Sequence, residues 1–304
     1  MSNHFLRLIA LSHPATVEVS TEQFDDISCA SKIQLEALYI EQKYDFVVEN
    51  YLEFEETILR CGLNHMMRGF LDREALNADT ALFNRRIMNL LTAYKTYDDT
   101  YLQHVNRIFN RDREILRSAK KPFSEEYDRR VGYWMIPKIR NYVQHQGFPM
   151  HGSAYTSGWC QNAEGEDRNR YTIDLYIDPV ELSEGKFNSE IRNRLLAMGK
   201  KMDLKFLIRD FMEGFSAAHD KNRSLLGERI DWAVDYTNSA IDYFLRDTGY
   251  RSALGLAVFS SEGSLSVATY ANEQRQYLVK KNIRLVNLSK RYISNEVESD
   301  SSER

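Results

Sequence analysis

Three long runs of helical periodicity, joined by short connections, constrain this chain more than any other feature. In residues 31–60 the apolar positions Leu35, Leu38, Phe46, Val47, Tyr51, Phe54 and Ile58 recur at helical spacing, and Gly62 follows as a C-terminal cap. Residues 80–119 repeat the pattern with Phe83, Ile87, Leu90, Tyr94, Tyr97, Tyr101, Val105, Ile108 and Ile115, and Pro122 ends the run. Ser124, backed by Glu125 and Glu126, starts a third helix whose apolar face is Tyr127, Val131, Met135, Ile139 and Tyr142. Each helix has a stripe to bury, and short connections make neighbours antiparallel. The expected fold is therefore mainly α, an antiparallel helical bundle.

The texture changes after Gly147. Tyr171, Ile173, Leu175 and Ile177 alternate with polar residues, the pattern of a half-buried strand. Residues 154–160 are its expected partner across the Glu164-Gly165-Glu166-Asp167 turn. Two helices are expected over 188–219 and 227–247, the second ended by Gly249, and a second hairpin joins 256–260 to 265–270. Residues 276–292 fit helix or strand. The reading gives a bundle with short N-terminal strands (residues 1–150, strands within 1–20) and an appended α+β portion with hairpins (151–293). A disordered acidic tail closes it (294–304), and the boundary falls near Pro149–His151.

Composition narrows the chemistry. Of 304 residues, 43% are hydrophobic, enough for real cores, and the net charge of −4 gives no global attraction to nucleic acid. Three cysteines without zinc spacing, and no apolar run near the ~18 residues that span a bilayer, point to a reduced, cytoplasmic protein without membrane contact. Phosphate-binding glycine loops, GxSxG elbows and HExxH motifs are missing, so no cofactor or metal is implied. His219-Asp220 reads as a helix terminus, and His151 as an exposed loop residue.

Near the end of the third helix stands Arg140-Asn141-Tyr142-Val143-Gln144-His145. An arginine steadies phosphate charge, an amide orients, and a histidine moves protons near neutral pH. Trp134, Lys138, Asn141 and His145 fall on one stripe, with Asn141 and His145 one turn apart. Arg140 points roughly 140° away from His145 on an unbroken helix. Three routes could bring it back: its own length, a disturbance at Pro137, or convergence across a dimer interface. Arg60 and His65 have the same spacing, but Gly62 interrupts them and no asparagine follows the arginine.

The Arg140-Asn141-x-x-x-His145 pattern resembles the signature of HEPN domains, over roughly residues 31–150. The resemblance implies a helical bundle, action as a homodimer in which two motif copies share a cleft, and metal-independent cleavage of RNA. It further implies a toxin or antiviral-defence (abortive infection) role, with an antitoxin or defence-system protein as partner. Carried over, His145 is the general acid/base, Arg140 the phosphate clamp and Asn141 the orienting group. Asp98 and Asp99 are candidates by type for an acidic contributor.

Residues 107–140 hold ten basic and five acidic residues, a net +5 in a chain of −4. Arg113, Arg117, Arg130, Trp134 and Lys138 are thus candidates for RNA contact, against a plain solvated helix face. The alternative function is a catalytically inactive HEPN-like subunit that dimerises and binds a partner or ligand.

Overall fold

The computed structural model of the chain describes residues 4–9, 14–69, 72–162, 165–261, 263–267 and 269–293. The acidic tail expected over 294–304 lies outside them. The chain opens with two short strands, β1 (His4–Leu8) and β2 (Thr16–Val19). Helix α1 (Thr21–Arg68) starts at a capping box: Gln23 N donates to Ser20 Oγ at 3.1 Å, and Ser20 N to Gln23 Oε1 at 2.8 Å. Gly62 does not end it. Cys61 is buried and the His65 ring sets its edge on Tyr155 and Tyr171, contacts that outweigh the ~1 kcal/mol cost of an interior glycine. Gly69, at φ +71°, is the cap instead.

The next two expected helices are redrawn. Helix α2 (Arg73–Ile108) is capped by Asp72 and ends in a tight turn with Asn110 and Arg111 at positive φ. Asp112 then caps α3 (Arg113–Arg129), inside which Pro122 sits without stopping the helix. The helix expected to run unbroken from Ser124 is interrupted at Arg130, which is extended (φ −110°, ψ 129°), and resumes as α4 (Val131–His145). No local signal announces this break. The Arg130 guanidinium binds Glu126 at 2.8 Å, Asp210 at 2.8 Å and Glu213 at 3.2 Å, while Asp210 also accepts the Gly132 N–H. Carboxylates 80 residues away hold the corner open.

The expected hairpin follows, β3 (Gly152–Gln161) against β4 (Asp167–Ile177), and its register pairs Thr156 with Thr172. Then come α5 (Pro179–Leu182), α6 (Ser189–Ala197), β5 (Met202–Asp203) and α7 (Leu204–Thr248). The two helices expected over 188–247 divide earlier than the sequence suggested, and α7 runs through 219–227 unbroken to Gly249 at φ +70°. Finally β6 (Leu256–Ser260), β7 (Gly263–Ser266) and α8 (Thr269–Lys281) lead to a short 3-10 turn, Leu288–Lys290.

The molecule is mainly helical with two small antiparallel sheets. Helices α1, α2, α4 and α7 form the bundle. Helices α3 and α4 lie end to end along α7: Asn222 reaches the Ala119 carbonyl at 3.0 Å, Arg130 reaches Asp210, and Gly132 rests on the Leu207–Phe211 backbone. A Cβ at Gly132 would stand 2.2 Å from the Leu207 carbonyl oxygen. One apolar core passes through all of these helices and takes in Ile173, Leu175 and Ile177 of the hairpin. Strand β1 pairs with β6, giving the order β2-β1-β6-β7 over a second core of Leu6, Val17, Ile27, Phe244 and Val258. Both cores take in residues from either side of the division expected near residue 150. No helix among the described residues is long and apolar enough to cross a membrane.

Candidate active site

Helix α4 is continuous through Pro137 to His145, so the motif keeps ideal helical spacing. Its core side is Met135, Ile136, Ile139 and Tyr142, all buried. Around the axis from these, Arg140 and Asn141 are half-buried, on either side of the strip that exposes Gln144. His145 is exposed at the helix end. No side-chain hydrogen bond or ion pair joins Arg140 to Asn141 or His145, or any of the three side chains to another described residue. The 140° separation is thus kept within one copy.

Several comparable side chains elsewhere are tied. The half-buried Arg86, Arg209 and Arg223 pair with Glu53, Glu55 and Glu41, and Arg130 has its three carboxylates. His104 pairs with Glu36 at 2.5 Å. An arginine or histidine kept for capping or core satisfaction would have a partner of this kind.

The end of α4 is built by residues the sequence hid. Tyr142 OH donates to Glu181 Oε1 at 3.3 Å, and Gln146 Nε2 to the Glu184 carbonyl at 3.2 Å. His151 is not an exposed loop residue. Its side chain is 5% accessible, its Nδ1 accepts from Asp178 N at 3.0 Å and lies 3.4 Å from Glu181, and its ring centroid is 5.6 Å from that of Tyr142. Burial, with the Glu181 charge beside it, raises the Tyr142 hydroxyl pKa. Glu181 follows Asp178-Pro179, which closes the hairpin, so its approach to α4 is set by the β3–β4 register and had no signal within the motif.

The outlying candidates separate. Asp98 and Asp99 are exposed and share Lys95. Helix α4 runs antiparallel to α2, since Tyr133 meets Tyr94 while Asn84 accepts the Met150 N–H at 3.1 Å. Asp98 is therefore roughly 21 Å along α2 from the level of the motif end, and supplies no acid there. Glu181 is the nearer carboxylate.

Trp134 and Lys138 are likewise not a solvent stripe. Helix α6 covers them: Lys138 Nζ lies 4.4 Å from the centre of the Trp134 ring, Arg194 packs on that ring at 4.0 Å, and Lys138 donates to the Tyr127 hydroxyl. Burial, then the Arg194 charge, pushes the Lys138 ammonium down to about 8. Arg130 is consumed by its carboxylates. Arg113 and Arg117 are exposed, but because α3 and α4 lie end to end, Arg117 is on the order of 40 Å from His145. The +5 segment is thus spread along the molecule, and part of it is neutralised by Glu36, Asp210 and Glu213 from other helices.

Compared with known proteins, the chain matches no family model, no curated protein and no solved structure.

Proposed function

We propose that this chain is a metal-independent endoribonuclease of the HEPN type, acting as a homodimer in a toxin or antiviral-defence role. The observation that carries the reading is that the Arg140 and His145 side chains have no hydrogen bond or ion pair with another described residue, at the end of a bundle helix, whereas the half-buried Arg86, Arg130, Arg209 and Arg223 are each paired with carboxylates. In the proposed reaction the RNA 2′-hydroxyl attacks its own phosphorus. The bond to the 5′ oxygen breaks, leaving a cyclic phosphate and a 5′-hydroxyl. One His145 takes the 2′ proton and a second, from the other copy, returns one to the leaving oxygen. Arg140 opposes the charge that builds on the phosphate, and Asn141 orients it. Glu181, rather than Asp98 or Asp99, is the carboxylate placed to steady an imidazolium.

The dimer is part of the proposal, and the geometry of one copy is compatible with it. Arg140 and Asn141 straddle the strip at Gln144, so a twofold axis beside that strip and running along α4 would set the Arg140 of one protomer toward the His145 side of its partner. The same separation favours the second reading, a non-catalytic subunit that dimerises and binds a partner protein.

Purified chain incubated with total RNA in EDTA, beside His145→Ala and Arg140→Ala, decides between them. Cleavage lost in both variants supports the enzyme. An intact dimer that cleaves nothing, and whose induced expression is harmless, leaves the interaction subunit.

A further inference from the structure

Between α1, α2, α7 and α8 the bundle encloses a cavity of about 20 Å³, on the order of one or two water molecules. Ala37, Ile40, Leu226 and Ile230 make its apolar wall. Its polar wall is more unusual. Glu41 accepts from Arg223 at 2.9 and 2.6 Å, and His219 bridges Glu41 at 3.3 Å and the Tyr97 hydroxyl at 2.9 Å. Burial opposes ionisation of Glu41, but the bonds from His219 and Arg223 overcome it and hold the carboxyl at about 2. Burial lowers the His219 pKa, which keeps that ring neutral at ordinary pH.

Glu41 and Arg223 thus form an ion pair, and Arg275 has none of its own, only the more distant charges of Glu41 and Asp231. The Arg275 guanidinium, on α8, reaches only Asn272 Oδ1, at 3.3 Å, and no carboxylate. Two further wall groups are buried without a partner among the described residues, the Tyr101 hydroxyl and Asn222 Oδ1. Asn222 Nδ2 already donates to the Ala119 carbonyl, so its oxygen is the free end. A half-buried cation, a buried hydroxyl and a buried acceptor lining one small space are costly unless something satisfies them together.

We propose that this cavity binds one small inorganic anion. The anion accepts from Arg275 and the Tyr101 hydroxyl, while its own O–H, or a water held with it, donates to Asn222 Oδ1. Its size restricts it to a halide or a small oxyanion. Binding is linked to the seating of α8, because docking that helix partly buries the Arg275 charge. The far end of α8 is already latched: Lys281 pairs with Asp45 and Glu49 at 2.8 Å each, and the Asn282 carbonyl accepts from Arg223 at 2.9 Å. The anion completes the seat at its middle, so ligand occupancy and α8 docking stabilise each other.

The test uses the full chain in sodium gluconate, an anion too large for the cavity, with chloride, nitrate, hydrogencarbonate or inorganic phosphate titrated in at constant ionic strength. At least one small anion is expected to raise the melting temperature saturably and to slow amide exchange over residues 270–281. Arg275→Gln loses both effects, and Arg284→Gln, which changes an exposed residue, keeps them. Tyr101→Phe removes only an unpartnered hydroxyl, leaves the fold in place, and weakens the apparent affinity about tenfold. The proposal is overturned if none of the four anions acts beyond gluconate, which leaves water alone in the cavity. It is equally overturned if Arg275→Gln retains the response or Tyr101→Phe leaves the affinity unchanged.

Discussion

Single side chains in this molecule divide into those that hold it together and those that are free. The Arg140 and His145 side chains make no hydrogen bond or ion pair with another described residue, so Arg140→Ala and His145→Ala are expected to change unfolding free energy by no more than ~0.5 kcal/mol. The same changes are expected to reduce RNA cleavage by about 100-fold or more. Chemical denaturation and a cleavage assay on the same preparations check both halves. Glu41 is the opposite case. Glu41→Gln leaves the Arg223 guanidinium buried without its counter-charge, at an expected cost of about 3–5 kcal/mol in urea unfolding. The same carboxyl sets the acid limit of the fold. It is held below its ordinary 4.5, at about 2, so its contribution is complete above 4.5 and is lost as the pH falls toward 2, roughly 3 kcal/mol in all. His219, also held below its ordinary value, takes up a proton more readily unfolded, so stability begins to fall below about pH 6.5. A melting-temperature profile from pH 8 to pH 3 should therefore decline in two stages; a profile flat down to pH 4.5 would contradict the His219 assignment, and one with no further decline between pH 4.5 and pH 3 would contradict that of Glu41.

At the level of the elements, periodicity found the helices but not their ends. The apolar positions named in α1 and α2 are largely buried, with Phe46 an exposed exception, because spacing along a helix is a local property. The corner at Arg130 could not be read, because its cause is a carboxylate pair on α7. Pro122 and Gly62 misled for the same reason: packing tolerated a residue that local propensity disfavours. The site was legible in proportion. Asn141 and His145 were correctly placed one turn apart at a helix end. Glu181, the covered Lys138 and the cavity around Glu41 depend on helices that meet only in the fold. Gly132 tests the closest of these meetings. Gly132→Ala drives a methyl group into the Leu207 carbonyl of α7, and an unfolding free energy lower by about 1–3 kcal/mol is expected. A neutral result would mean that α4 and α7 stand farther apart than described.

For the molecule as a whole, the pairing of β1 with β6 and the continuous core make the two halves interdependent. Residues 1–150 and 151–304 expressed separately should show collapsed or unfolded spectra by amide NMR, whereas the two pieces refolded together should recover dispersion. Independent folding of the first piece would restore the boundary that the sequence suggested. The position of α7 in the chain also sets a schedule for synthesis. The motif helix emerges from the ribosome about 100 residues before α7 is complete, which at ordinary elongation rates is a delay of about 5–20 s. During that interval α4 lacks the surface on which Gly132 and Phe211 pack, and β1 has no β6 to pair with. A growing chain therefore carries an unassembled site past the messenger that encodes it, and full assembly waits for the last third of that message to be read.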